Sequence, residues 1–391
     1  MRRNSWQLII ILLLMLTLMG CGQEGQKNKQ AREMQKWLDE VNLSDTLTKE
    51  ELYEAALLED TLVIYSVSSR AFEVKESFEK EYPGLTVEVK DIRSEDIVSM
   101  VKDNYDKENY ACDLVICSDC NGTLYRELLE PGILYSYIPA DIAPKMKEGH
   151  ADNELLFVGE SLMFFYNENV YSEQPIQNIW ELTEEQYKGK IIMANPLSSF
   201  STYGFCSAVL GEPEKMEKAY EEYTGERLVI PEGKTAGEVF WEKAASNIVF
   251  TNSSDEVLEG IGGIGSDDYW IGIMISSKMR YLALGYQFAP IYRLNPFSTV
   301  YTPNSVTVAA GSKNVNAAKL FVRYLLGETD GTGEGMKPFL TAGTWSSRMD
   351  VEDANEVPLN EIDYLEINKE YLYNNMDAMS QFWIELLKEH K

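Results

Sequence analysis

A chain of 391 residues, 45% of them hydrophobic, can bury a core large enough for two lobes. Its net charge of −28 argues against nucleic acid and anionic membrane surfaces as partners, and losing Arg2 and Arg3 would make it more acidic still. A small anionic ligand would have to be held by donors built locally into its site, against the field of the whole molecule.

Residues 1–20 have the character of an export signal. Arg2 and Arg3 give a basic start, and Leu8–Met19 is apolar apart from Thr17, too short to span a bilayer comfortably. The run ends Leu18-Met19-Gly20-Cys21, which resembles a bacterial lipoprotein signal. That resemblance implies cleavage before Cys21, diacylglycerol on its sulfur and palmitate-type acylation. The mature protein would then be lipid-anchored on the extracytoplasmic face of the cell membrane. Gly22–Arg32 is polar, as a flexible tether would be.

Thr48-Lys-Glu-Glu51 is a capping-box pattern, and Leu52, Ala55 and Ala56 lie on one side of the helix that follows. Leu62–Tyr65 is a strand, followed by Ser66-Val67-Ser68-Ser69-Arg70 and a helix with Val74, Phe78 and Tyr82 at four-residue spacing. Leu85–Val89 alternates as a strand. Ser94 caps a helix containing Ile97, Val98 and Val101, and Asp113–Cys117 is a buried strand ending at Ser118-Asp119. Strand and helix alternate throughout, which predicts α/β architecture with a largely parallel sheet.

Gly189–Leu210 concentrates the signal. Ile191–Ala194 is a short apolar strand, Asn195-Pro196 breaks it, and Ser198, Ser199, Ser201 and Thr202 precede a helix beginning near Tyr203. A helix start leaves backbone N–H groups without partners and carries partial positive charge, so a hydroxyl-rich turn there can cradle an anion or polar ligand. Capping alone needs one hydroxyl. The Ser66–Arg70 turn, Ser118-Asp119 and Ser198–Tyr203 all lie at strand C-terminal ends, where open α/β sheets bind ligands. No Gly-rich phosphate loop or dinucleotide fingerprint is present.

Of five cysteines, Cys112, Cys117, Cys120 and Cys206 remain after Cys21. Cys112 and Cys206 suit buried free thiols, while Cys117-Ser-Asp-Cys120 leaves a bridge open. With His150 and His390 the only histidines, the sequence predicts no metal site and no cofactor.

Several segments resemble bacterial extracellular solute-binding proteins of the ferric-iron type. These are Glu51–Ala56, Thr61–Ser66 and the strand–SSxTGY–helix pattern over Gly189–Leu210, with Ser198, Ser199, Thr202 and Tyr203 in place. That segment departs from the pattern at Phe200, and Gly204 follows the tyrosine instead of preceding it. Asn304–Leu326, Ser346–Val351 and Asn374–Leu387 also match, so the likeness covers nearly all of the mature chain. It implies a two-lobed type II periplasmic-binding-protein-like α/β fold, a monomer with a ligand in the cleft between lobes, serving an ABC permease. The expected division is 59–158 with 300–345 as one lobe and 159–299 with 346–391 as the other, after the signal (1–20) and a tether with an N-terminal helix (21–58). Leu155–Tyr166 and Phe297–Val308 would cross between lobes, with Tyr301 and Asn304 facing the cleft.

Iron-binding relatives hold Fe³⁺ with adjacent tyrosines of the second lobe, an early His and a carboxylate, since the hard ion favours anionic oxygen. Here Ser276-Ser277 occupies the place of the tyrosine pair and no His follows the first strand, although Tyr203, Tyr269 and Tyr281 remain as phenolates. The expectation is therefore an anionic or polyhydroxylated solute of the sugar phosphate, phosphonate or carboxylate class. Its binding residues would be Ser66, Ser68, Ser69, Arg70, Ser118, Asp119, Ser198, Ser199, Ser201, Thr202, Tyr203, Trp270, Ser276 and Ser277. Arg70 would supply the ion pair, and Trp270 or Tyr203 a stacking face. The alternatives are a ferric-iron carrier, a ligand-sensing partner of a membrane histidine kinase, and a secreted hydrolase. The last has no G-x-S-x-G elbow and no positioned base in its support. The lipoprotein reading predicts Cys21 as the mature N-terminus. Cys21→Ala should release the protein or leave its precursor uncleaved, and N-terminal mass spectrometry that begins elsewhere contradicts it.

Overall fold

The computed structural model describes residues 29–44 and 46–389; the expected signal, Cys21, most of the tether and His390 lie outside them. A helix over 29–41 (α1) precedes α2 (Lys49–Ala56), where Thr48 and Glu51 form the expected capping box. Then come β1 (Leu62–Ser66), α3 (Ala71–Glu81), β2 (Val87–Asp91), α4 (Ser94–Asp106) and β3 (Leu114–Ser118). β2 begins at Val87 and not at Leu85, because the Leu85 N–H is still tied to the Tyr82 carbonyl in the turn. Ser94 is the first helical residue of α4 and not its cap; Arg93 takes the cap position and makes no side-chain cap bond.

The chain continues through β4 (Leu134–Tyr135), β5 (Leu156–Asn167) and β6 (Ile191–Ala194). Next are α5 (Phe200–Leu210), α6 (Pro213–Thr224), α7 (Ala236–Ala244), β7 (Ile248–Thr251) and α8 (Ser254–Gly262). It closes with β8 (Ile271–Ile275), β9 (Phe288–Pro290), β10 (Thr299–Ala309), α9 (Val315–Leu325), β11 (Trp345–Ser346), β12 (Tyr364–Glu366), α10 (Lys369–Asn374) and α11 (Met376–Glu389). α5 starts at Phe200, earlier than Tyr203, because the Ser199 side chain accepts the Thr202 N–H and caps it.

The strands form one 12-stranded sheet with the main path β2-β1-β3-β10-β5-β8-β6-β7. At one end β2, β1 and β3 are parallel; at the other β8, β6 and β7 are parallel. The long strands β10 and β5 run antiparallel between them. β10 pairs with β5 from Thr299↔Met163 and then with β3 from Asn304↔Ser118. β5 in turn pairs with β8 from Leu162↔Ile275. Both strands therefore cross from one half to the other, giving the α/β, two-lobed fold with a cleft between lobes.

Side-chain alternation along these strands fills a core on each face of each half. Ile64, Leu114 and Ile116 face α3 and α9 residues, while Tyr65, Val115 and Cys117 face the residues of α4. In the second half Ile191, Met193 and Ile273 join Phe205, Trp241 and Trp383, whereas Ile192 and Met274 join Val257 and Ile261 of α8. α11 contributes Met379, Trp383 and Leu386 to the second half's core. Among the described residues, no helix is long and apolar enough to cross a membrane.

At the crossing, Tyr301 lies flat on Gly159: a Cβ there would sit 2.1 Å from its ring. Tyr301 is buried, stacks near His150 at 6.3 Å, and its hydroxyl finds no partner. It does not line the cleft. His150 pairs through Nδ1 with the Ser347 hydroxyl at 2.8 Å, and burial, helped by Lys147, pulls its pKa down to about 4. Gly159→Ala should cost on the order of 1–3 kcal/mol through overpacking. Tyr301→Phe should cost less than about 0.5 kcal/mol, since the hydroxyl it removes is unpartnered. Urea midpoints measure both; a larger loss in Tyr301→Phe shows that the hydroxyl is held.

Candidate ligand-binding cleft

The parallel strands of both halves point their C-terminal ends at one cavity of about 490 Å³. From the first half come Ser68, Ser69 and Arg70 after β1, Arg93–Glu95 after β2, and Ser118 and Cys120 after β3. From the second come Ser198–Ser201 after β6, Asn252–Asp255 after β7, and Ser277, Lys278 and Arg280 after β8. Glu160 of β5 and Asn304 of β10 complete the lining from the crossing strands.

Each of α3, α4, α5 and α8 begins at this cavity. The amide N–H groups of Ser69, Arg70, Ser94, Glu95, Phe200, Ser201, Ser254 and Asp255 reach no protein acceptor among the described residues. They are the orphan donors of helix starts, and the partial positive charge of each helix end is aimed at the same volume. Ser199 and Ser253 cap α5 and α8 from the rim. Among the described residues, neither tyrosine nor histidine is part of the lining.

The charged side chains are nearly all neutralised in place. Arg70 pairs with Glu160 at 2.8 Å, donates to the Thr344 hydroxyl at 3.2 Å, and lies 5.3 Å over the Phe339 ring. Arg93 pairs with Glu95 and Asp96, and Lys278 with Asp255. Arg280 is the exception. It donates to the Ser277 carbonyl at 2.7 Å and lies 4.8 Å over the Tyr281 ring, and no carboxylate reaches it among the described residues.

The cavity thus gathers Ser68, Ser69, Arg70, Ser118, Ser198, Ser199, Ser201 and Ser277 of the sequence-predicted residues. The others lie elsewhere. Ser66 is buried in its own turn, accepting the Ser68 N–H. Asp119 accepts the N–H groups of Gly122, Leu124 and Tyr125, and burial raises its pKa despite Lys369 nearby. Thr202 is buried and donates to Ser199 Oγ at 2.9 Å. The Tyr203 hydroxyl donates to the Met376 carbonyl at 2.8 Å, toward α11. Trp270 precedes β8 and packs edge-on against Tyr171 and Tyr187. Ser276 is spent on structure: it donates to the Gly343 carbonyl at 2.5 Å and accepts the Ser161 N–H at 2.9 Å. Tyr269 and Tyr281 pack beside the α8 core.

Sequence reasoning missed Arg93, Glu160, Asn252–Asp255, Lys278 and Arg280. Asn252-Ser-Ser-Asp255 carried a readable signal, since it is a polar turn between strand and helix like Ser66–Arg70 and Ser198–Tyr203. Glu160 and Arg280 carried none, because a single charge inside an apolar strand or a loop does not announce where it points. Cys112, Cys117, Cys120 and Cys206 are free and buried, and burial lifts the Cys120 thiol to about 12 although it borders the cavity. A second hollow of about 580 Å³ beside Thr48 and Tyr137 lies away from the strand ends, and its Asp141 and Arg323 are bonded to each other at 2.7 Å.

A family described as bacterial extracellular solute-binding protein matches residues 71–330. Among solved structures, the chain is similar to the periplasmic binding protein AfuA from Actinobacillus pleuropneumoniae with exogenous fructose-6-phosphate bound. Identity is 17%, coverage 84% of this chain and 99% of that one, and the TM-score 0.62. It is similar to iron-bound HitA from Pseudomonas aeruginosa at 15% identity, over 84% and 99% of the chains, with a TM-score of 0.63. Apo ferric ion-binding protein A from Pasteurella haemolytica has 15% identity, 84% and 98% coverage and a TM-score of 0.62. No curated protein sequence matches. At these identities the likeness speaks for the fold.

The two arginines of the cleft should separate on substitution. Arg70→Gln leaves the largely buried Glu160 without its partner and should cost on the order of 3 kcal/mol of stability. Arg280→Gln removes a charge that no carboxylate among the described residues neutralises and should change the melting temperature much less. Thermal unfolding of both variants without ligand decides this, and equal losses contradict it.

Proposed function

The chain belongs to the bacterial extracellular solute-binding proteins, which bind small ligands outside the cytoplasm for ABC permeases, and from that premise we propose that its solute is a small oxyanion with a hydroxylated body. Sugar phosphates, phosphonates and carboxylates have this chemistry. The observation that carries the reading is the meeting of four helix starts with one unneutralised guanidinium, Arg280, in a cavity walled by serine hydroxyls. Backbone N–H groups and hydroxyls bind the anion's oxygens at short range, and Arg280 supplies the charge-assisted bond. The role given to Arg70 in the sequence reading passes to Arg280, because Glu160 already occupies Arg70. The serines offer donors to sugar or carboxylate oxygens without blocking close approach.

In this proposal the protein is a monomer held at the membrane by lipid on Cys21, and the crossing strands β5 and β10 let the lobes close over the solute. Delivery goes to the ABC permease. Ferric iron would need phenolate or imidazole at the cavity, and its lining holds carboxylates already committed to Arg93, Arg70 and Lys278.

Titration with ferric citrate and, separately, with inorganic phosphate and hexose phosphates tests the proposal. The expected result is a colourless protein whose melting temperature rises with a phosphate-bearing probe by mass action. Arg280→Gln should weaken that binding by about 1.5–3 kcal/mol, the worth of a hydrogen bond to a charged group. A stoichiometric visible absorption band with ferric citrate, lost on replacing Tyr203, Tyr269 or Tyr281 with Phe, overturns the proposal in favour of iron.

A further inference from the structure

We propose that the cleft continues past Arg280 into a second chamber that takes a polyhydroxylated extension of the bound anion, so that the natural solute is longer than a single-ring monophosphate; this rests on the oxyanion reading above. The second chamber measures about 510 Å³ and meets the first at Ser69, Arg70 and Arg280. Its outer side is built by Glu73 and Ser77 of α3 and by the turn and loop that carry Lys337 and Thr341.

Three groups there are unspent. The Glu73 carboxylate makes neither an ion pair nor a hydrogen bond among the described residues, although Arg280 borders the same space. Thr341 Oγ1 is buried and has no partner among the described residues. Arg280 keeps most of its donors free, since its one hydrogen bond among the described residues is to the Ser277 carbonyl. A carboxylate that accepts, a guanidinium that donates and a hydroxyl that does either are the complement of sugar hydroxyls, which both donate and accept. Lys337, paired with Glu334, keeps the rim polar, and Pro338 is its sole apolar residue among the described ones, so an acyl or aromatic extension finds little surface to cover. Arg280 stands in the shared wall. It can hold the anion from the inner side while its other N–H groups face the outer chamber.

Size points the same way. Each chamber alone falls within the usual range of roughly 300–1,000 Å³ for small-molecule sites, so the outer one has room for a sugar-sized group beside an anion held in the inner one.

Calorimetry on the mature protein with inorganic phosphate, glucose 6-phosphate and trehalose 6-phosphate as probes tests this. Affinity should rise along the series, with the last step worth about tenfold. Glu73→Gln and Thr341→Val should each remove about three- to tenfold from trehalose 6-phosphate while leaving inorganic phosphate unchanged. Arg280→Gln should weaken all three. If phosphate and glucose 6-phosphate bind but trehalose 6-phosphate gains nothing, the second chamber is not a subsite and the oxyanion reading stands. If the two outer-chamber variants weaken inorganic phosphate as much as the disaccharide phosphate, the chambers are one site and the inference fails. If none of the three probes binds, the oxyanion reading fails and the extension falls with it.

Discussion

Between Asn304 and Ser305 the register of β10 against β5 slips, and around this point both strands exchange one half of the molecule for the other. Everything at the cleft depends on that exchange. Because β10 and β5 run antiparallel to their neighbours β3 and β8, the parallel strands on either side end at a common line instead of on opposite edges of the sheet. The ends of β1, β2, β3, β6, β7 and β8 then supply loops to one volume, and no loop has to be long to reach it. Glu160 and Asn304 sit on the crossing strands themselves. They are the part of the lining that belongs to neither half, and Arg70 is tied to the crossing through Glu160.

Electrostatics decide what such a cavity can hold. The chain carries −28, yet a Debye length of about 8 Å at physiological salt confines most surface charge to its own neighbourhood. Inside the cleft the local balance governs. Arg70, Arg93 and Lys278 spend their charge on Glu160, on Glu95 and Asp96, and on Asp255, so they contribute donors and rigidity more than net field. What remains is Arg280 and the helix starts. Backbone N–H groups fixed by helices need little reordering to bind an oxyanion, whereas free lysines would lose rotamer entropy.

Much of this was legible in the sequence because it rests on local rules. The apolar run Ile191–Ala194 is the strand it was read as, Thr48 and Glu51 make their capping box, and Ser68, Ser69, Ser118 and Ser198–Ser201 reach the cavity because strand ends and helix starts fix where a turn points. The failures have a common cause. Thr202, Tyr203 and Asp119 stand within a residue or two of cavity residues, but each turns its polar atoms into the structure: Thr202 to the Ser199 cap, Tyr203 to α11, Asp119 to the amides of its own turn. Sequence position places a backbone; it does not say which side of a turn a side chain takes. Ser276 and Ser277 show the limit within one pair. The first bonds the Gly343 carbonyl and the second lines the cleft. Arg280 was invisible for the opposite reason: what sets it apart is that no carboxylate among the described residues reaches it, which no local pattern encodes.

The two halves also meet beside the cavity, and the contacts there explain small residues that a ligand never touches. Gly204 of α5 lies against Cys120, where a Cβ would come within 2.5 Å of the Cys120 carbonyl oxygen. That the glycine follows Tyr203, where the related pattern has it before, is therefore a matter of fit: on a helix buried all round, it is the position that faces the Cys120 turn. Next to this contact Lys369, the first residue of α10, reaches Glu154 at 2.9 Å and Asp119 at 3.7 Å. Asp119 is buried and bonded to three amides, and burial alone would favour its neutral form. The ammonium of Lys369 offsets that cost only while the halves are together. Separating them would leave the buried Asp119 carboxylate without its cation, so the pair favours contact between the halves. Contact between the halves thus rests on packing at Gly204 and on this ion pair, and under the proposed function a solute that bonds the orphan N–H groups of both halves at once would favour the arrangement in which they meet.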